Sequence, residues 1–207
     1  MATPTVPFSR DIRICFLGDS FVVGVGDPSG LGWVGRAIAH AATQGTPVTG
    51  YNLGVRAETS RDVVRRLRQE TEPRLVQGKE LRVVLSLGLN DVAVDAGVQR
   101  VSTVDTLAAI SEAGTLLEGT PVLFVGPPAS TDPERNERAR ELNGAMREHC
   151  ATIGIPFIST FEALDGANPW CDEVARGDGI HPGLAGYDQL HAVIRDDLYD
   201  WTMQTFE

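Results

Sequence analysis

The chain has 207 residues, 42% hydrophobic and 22% charged, with a net charge of −10. That length suits one domain able to bury its own core, so residues 1–207 are read as a single domain. The acidity excludes nucleic acid or an anionic membrane surface as the main partner, since both would be repelled, and it suits a neutral or cationic small molecule.

Met1 to Asp11 carries prolines and no apolar h-region, and nothing approaches the run of about 18 apolar residues that a membrane span needs. The expectation is a cytoplasmic protein with no stable membrane association. Cys15, Cys150 and Cys171 are an odd set without C-x-x-C spacing, so neither a disulfide framework nor a zinc site is expected.

Ile12 to Leu17 is an apolar run fit for a buried strand; it stops at Gly18-Asp19 and presents Ser20 at its tip, followed by Phe21. The glycine-rich stretch from Gly24 to Gly32 reads as a loop, and Val34 to Ala42 as a helix. Pro47 to Leu53 is a second strand, ended by Gly54. Thr59 or Ser60 can cap a helix through about Leu67, with basic residues late in the run where they suit the macrodipole. Leu81 to Leu87 is a third strand, ending at Gly88-Leu89-Asn90-Asp91. A helix starts at Ser102 or Thr103, with Asp105 in its first turn, and runs to about Leu117. Val122 to Val125 is a fourth strand, stopped by Gly126-Pro127-Pro128. A polar helix from about Pro133 to Cys150 precedes a fifth strand at Pro156 to Ser159. A loop with Asn168-Pro169-Trp170 leads to Asp178-Gly179-Ile180-His181-Pro182, and a last helix runs from near Leu184 to about Thr205. Strands alternating with helices imply parallel βαβ units, hence an α/β chain built as a doubly wound, three-layer domain.

Ser20, Gly54 and Asn90 all fall at C-terminal strand ends, which share one edge of a parallel sheet, where ligands bind. The chain can return to that edge with Asp178 and His181. These types suit acyl transfer: a serine hydroxyl needs a base, and histidine has a pKa near that task. The base in turn needs a carboxylate to fix its tautomer. Asp178 and His181 are three residues apart, so a single helical turn would bring both side chains to one face. The Gly54 N–H, the Asn90 side-chain amide and the Ser20 N–H are candidate oxyanion donors.

Gly18-Asp19-Ser20-Phe21, Asn52-Leu53-Gly54, Gly88-Leu89-Asn90-Asp91 and Asp178-Gly179-Ile180-His181-Pro182 together resemble the four sequence blocks of the SGNH (GDSL-type) hydrolases, in order and spanning residues 18–182. The resemblance implies a flavodoxin-like α/β/α sandwich on a five-stranded parallel sheet and an esterase or lipase. It implies Ser20 as nucleophile, His181 as general base, Asp178 as its orienter, and Ser20, Gly54 and Asn90 as the oxyanion hole. Phe21 stands where the family has leucine; it is similarly apolar and anchors the turn into the core.

Taken singly, each block has a plainer reading, as a helix cap, a turn glycine or a closed loop; together they favour an active site. Asp19 is expected to brace the Ser20 turn rather than move protons. The arginines at 61, 65, 66 and 68 read as a solvated helix face. Trp33 and Trp170 fit either core packing or the wall of an acyl or sugar pocket. His40, His149 and His191 lie on helices without a telling acidic partner. No H-x-x-x-H pair, complete G-x-G-x-x-G or Walker lysine is present, so no metal and no cofactor is expected. The reading is a serine hydrolase acting on short-to-medium acyl esters as small-molecule substrates. A carbohydrate O-acetyl esterase and an acyl-thioesterase or lysophospholipase are the enzymatic alternatives; a catalytically silent binding module is the alternative of another class.

Overall fold

The computed structural model describes residues 10–46, 48–75 and 79–206. The N-terminal residues 1–9 and Pro47, on which two of the expectations rest, lie outside that range. The elements in chain order are β1 (Ile12–Gly18), α1 (Ser20–Val23), α2 (Gly32–Thr43), β2 (Thr49–Gly54), α3 (Ser60–Thr71), β3 (Glu80–Ser86), β4 (Val94–Asp95), β5 (Val98–Gln99) and α4 (Thr103–Leu116). They continue with β6 (Val122–Val125), α5 (Pro133–Thr152), β7 (Phe157–Ile158), α6 (Phe161–Leu164), α7 (Pro169–Arg176) and α8 (Leu184–Met203).

Five strands form one parallel sheet in the order β2-β1-β3-β6-β7, the flavodoxin order once the separate β4–β5 pair is set aside. β1, β3 and β6 are near-continuous apolar runs because the sheet is covered on both faces. Helices α2 and α8 pack together on one side, and α3, α4 and α5 on the other. Among the described residues no helix is long and apolar enough to cross a membrane.

Helix starts follow local capping. Thr59 and Asp62 close a capping box on α3, and Ser102 accepts from the Asp105 N–H at the head of α4. The short helices α1 and α6, the helix α7 and the β4–β5 pair are additions to the sequence reading. The Asn168-Pro169 loop is the start of α7: Asn168 accepts from Cys171 N–H at 2.9 Å, and Pro169 occupies the first turn, where its missing donor costs nothing. β4 and β5 form a two-residue antiparallel hairpin whose turn, Ala96-Gly97, has φ of 52° and 80°. Strands that short show no alternation to read.

What positions the site is the register. Gly18 pairs with Gly54 on one side and Ser86 on the other, so β1, β2 and β3 end level. Their following segments emerge side by side where the chain's direction of winding reverses, the crevice of an open α/β sheet. Gly18 permits that closeness: a Cβ there would overlap the Ser86 carbonyl oxygen and meet Val22 Cγ2 at 2.7 Å. Gly18→Ala is therefore expected to destabilise the fold by about 1–3 kcal/mol, the usual cost of overpacking, seen as a lower urea midpoint. An unchanged midpoint would mean that the strand ends are free to spread.

Candidate active site

Asp19 is the N-cap of α1: its Oδ1 accepts from Phe21 N–H at 3.0 Å. Ser20 is therefore the first residue of a helical turn, whose leading amides have no intrahelical partner. The residue is 5% exposed.

Ser20 Oγ lies 2.7 Å from His181 Nε2, and His181 Nδ1 lies 2.7 Å from Asp178 Oδ2. The structure thus brings together three of the residues singled out from the sequence. The expected helical turn between Asp178 and His181 is not what joins them. α7 ends at Arg176 and α8 begins at Leu184, and the pair sits in the turn between. Asp178 Oδ1 accepts from the Ile180 N–H at 3.0 Å and the His181 N–H at 2.8 Å, folding the segment back on its own carboxylate. Burial pulls the Asp178 pKa upward, but the hydrogen bonds from the His181 ring and the two backbone amides outweigh it, leaving it lowered to about 2. His181 is enclosed (11% side-chain exposure) while Asp178 is 54% exposed.

Phe21 anchors the turn as expected, and its ring also flanks the imidazole, 5.3 Å from His181 and 5.8 Å from Trp170 between centroids. Trp33 and Trp170 are buried in the core, Trp33 edge-on to Phe16 and Trp170 Nε1 donating to Ala129 O at 2.8 Å.

Gly54 and Asn90 both border α1, but their donors are already engaged. The Gly54 N–H donates to Asn52 Oδ1 at 3.1 Å, while Asn52 Nδ2 donates to Val22 O at 2.6 Å. Asn90 Nδ2 donates to Asp19 Oδ2 at 3.1 Å and Glu58 O at 3.0 Å. The glycine is also needed sterically, since a Cβ at 54 would stand 2.8 Å from Asp19 O and 2.9 Å from Val23 Cγ2.

Other residues around the site owe their roles to contacts that their sequence neighbourhoods do not mark. Arg66 does not belong to a solvated face: it turns inward, donating through Nε to Glu58 at 2.8 Å and through Nη2 to Gly18 O at 3.2 Å. Arg61, Arg65 and Arg68 are exposed, as expected. Asp91 is fully buried and accepts from Ser60 N–H at 2.8 Å and Thr106 Oγ1 at 2.6 Å, tying the end of β3 to α3 and α4. Glu173 accepts from the Ala185 and Gly186 amides and so serves the start of α8, where Gly183 has no side chain to cap it.

A groove of about 390 Å³ runs beside His181, with the charged side chains of Glu173, Arg176 and Asp178 and the apolar Val25 and Pro182 in its lining. Among the described residues, no group of three or more His, Cys, Asp or Glu side chains could hold a metal ion.

The family model of the GDSL-like lipase/acylhydrolases matches residues 16–189. Among solved structures the chain is similar to a lipase/acylhydrolase from Enterococcus faecalis, with 25% identity, 91% of this chain and 95% of that one covered, and a TM-score of 0.76. An acetylxylan esterase from Geobacillus stearothermophilus shares the fold at 18% identity, covering 93% of this chain and 97% of that one with a TM-score of 0.70. A GDSL-like lipase from Bacteroides thetaiotaomicron shares it at 24% identity, covering 91% and 88%, with a TM-score of 0.63. No curated protein matches the chain.

Asp19 is 2% exposed, and burial raises its pKa to about 7, opposed by the Phe21 N–H and reinforced by Asp91 nearby. Between its ordinary 3.8 and about 7 the folded chain holds a proton that the unfolded chain releases. Stability from this group is therefore fully present below pH 3.8 and is lost as pH rises through about 7. In Asp19→Asn, urea unfolding at stepped pH should show a flatter decline across that window than the wild type. Identical slopes would count against a proton on Asp19.

Proposed function

Because the chain belongs to the GDSL-like lipase/acylhydrolase family of SGNH hydrolases, we propose that it cleaves carboxylic esters through an acyl-enzyme on Ser20. The observation carrying this reading is the pair of 2.7 Å contacts that link Ser20 to His181 and His181 to Asp178. With Nδ1–H donating to Asp178, the lone pair of Nε2 faces Ser20 Oγ, the tautomer a general base needs. Ser20 Oγ attacks the ester carbonyl as its proton passes to Nε2. Asp178, with its lowered pKa of about 2, stays ionised at neutral pH and stabilises the imidazolium.

The developing oxyanion meets the Ser20 N–H at the head of α1. It then competes for the Gly54 N–H and the Asn90 amide, which in the resting site serve internal acceptors. A charged oxygen is a stronger acceptor than the neutral Asn52 amide or the Glu58 carbonyl. Hydrogen bonds of this kind commonly tighten only when substrate is bound. Collapse of the intermediate returns the proton from His181 to the departing alcohol. Water, activated by the same imidazole, then hydrolyses the acyl-enzyme and frees Ser20.

The leaving group must pass His181 to collect its proton. The groove beside that residue, lined by Glu173, Arg176 and Asp178, supports a second reading: a hydrophilic alcohol, such as an O-acetylated sugar. The similarity in fold to an acetylxylan esterase is consistent with this. A panel of p-nitrophenyl esters of rising acyl length, run beside acetylated sugars and acyl-thioesters, separates the readings. Preference for acetyl sugars would favour the second, and rising rates with acyl length would oppose it.

Ser20→Ala should lower kcat/KM by about 10⁴-fold or more, with thermal unfolding unchanged. The wild type should be labelled by a fluorophosphonate and the variant should not. Retained turnover in Ser20→Ala would sink the acyl-enzyme, and absence of both turnover and labelling in the wild type would favour a binding module.

A further inference from the structure

His181 sits in a turn, and a turn residue keeps a productive geometry only if something rigid packs behind it. That backing is the loop between α1 and α2, residues 24–32. Gly26, with φ +93°, lies directly against the His181 segment: a Cβ there would overlap the Pro182 carbonyl oxygen and stand 3.3 Å from His181 Cβ. The loop is in turn tied to α8, because the Tyr187 hydroxyl donates to Val25 O at 3.0 Å. Burial pushes the Tyr187 phenol up, so it remains a donor.

The loop is also locked from within. Asp27, whose side chain is fully buried, accepts from Ser29 N–H at 2.9 Å, Ser29 Oγ at 2.8 Å and Gly32 N–H at 2.9 Å, and pairs with Arg36 Nη1. Burial pulls the Asp27 pKa upward, but Arg36, Ser29 and Gly32 outweigh it, so the pair is ionic. Arg36 has two further arms onto α8. Its Nε donates to Asp188 Oδ1 at 2.6 Å and its Nη2 to Leu184 O at 3.4 Å, at the first residue of the helix that follows His181. At the loop's ends, Gly24 and Gly32 pack backbone to backbone, which only glycines at positive φ permit.

We propose that the 24–32 loop, clamped between α2 and α8 by Arg36 and Asp27, is the wall that holds His181 against Ser20, with Gly26 its contact point and Arg36 its positioning residue. This rests on the hydrolase reading above. The loop is braced by the buried Asp27–Arg36 ion pair and by the Ser29 and Gly32 donors on the same carboxylate. In the turn, Gly179 is tied to Thr131 and Val174, whereas the His181 end is held by the Asp178 carboxylate. An added side chain at 26 therefore moves the turn rather than the loop.

The test is steady-state kinetics on p-nitrophenyl acetate with Gly26→Ala and Tyr187→Phe, beside fluorophosphonate labelling rates and thermal unfolding. A displacement on the order of 1 Å costs about 100-fold in rate, so Gly26→Ala should lose about that factor in kcat with KM nearly unchanged and labelling slowed in parallel. Tyr187→Phe should lose a smaller factor in the same pattern. Lowered unfolding temperature with kcat intact in both variants would overturn the proposal, leaving the loop a stabilising element alone. Should Gly26→Ala not fold, Tyr187→Phe decides: a fall in kcat at constant KM supports the wall, and unchanged kcat removes it. If the wild type neither hydrolyses esters nor takes the label, the hydrolase reading has failed, and the His181 ring resonances then report on the wall. Shifted signals in Gly26→Ala or Tyr187→Phe would support it, and wild-type signals in both would overturn it.

Discussion

The contact between Ser20 Oγ and His181 Nε2 joins groups 161 residues apart, and the fold around it is arranged so that this distance is 2.7 Å. Three constraints combine to set it. The level ends of β1, β2 and β3 place Ser20 at the sheet edge. The carboxylate of Asp178 folds its own turn and orients the imidazole. Glu173 fixes where α8 begins, three residues after His181. A short Ser–His distance alone would mean little. Ser111 Oγ and His149 Nε2 also lie 2.7 Å apart, between α4 and α5. There, among the described residues, no carboxylate holds the other ring nitrogen, and the serine lies inside a helix whose amides are spent on helical bonds. The difference between a packing contact and a candidate catalytic pair lies in the neighbours.

Three buried aspartates organise those neighbours, and their partners explain why they behave differently. Asp27 faces the Arg36 guanidinium and its carboxyl is held below the usual range. Asp19 and Asp91 are served by amides and hydroxyls, with no cation in direct contact among the described residues. Burial therefore wins at both, and their pKa values rise. A neutral hydrogen bond satisfies a carboxylate without cancelling its charge, whereas a cation does both. Asp19 secures the Ser20 turn and Asn90, Asp91 the end of β3, and Asp27 the loop behind His181.

What the sequence disclosed was local. Strand ends were marked by Gly18, Gly54 and Gly88, and helix starts by Thr59, Ser102 and Pro133, because close approach and capping leave their residue types in place. The spacing of Asp178 and His181 was legible, although a carboxylate-closed turn, rather than a helix, explains it. The start of α7 was also written in Asn168-Pro169, but eight residues of helix give too short a periodicity to outweigh a loop reading. The unread part was long-range. Arg66 looks like its exposed neighbours Arg65 and Arg68, and only its place on the Val63 side of α3 turns it toward Glu58 and Gly18 O. Arg36 and Asp188 lie 152 residues apart, and nothing in either neighbourhood names the other.

The donors around Ser20 face a conflict between resting and reacting states. The resting site gives the Gly54 N–H to Asn52 and the Asn90 amide to Asp19 and Glu58. In the proposed reaction those donors must pass to an anion. An ionised Asp19 would oppose that anion and hold the Asn90 amide more tightly. Burial instead raises the Asp19 pKa to about 7, so that at neutral pH a sizeable share of the population is protonated, which weakens both effects. The cost is a carboxyl that subtracts from stability as the pH approaches neutrality. A more exposed aspartate at this position would be cheaper for folding and worse for the anion, so the buried Asp19 is where stability and the proposed chemistry pull apart.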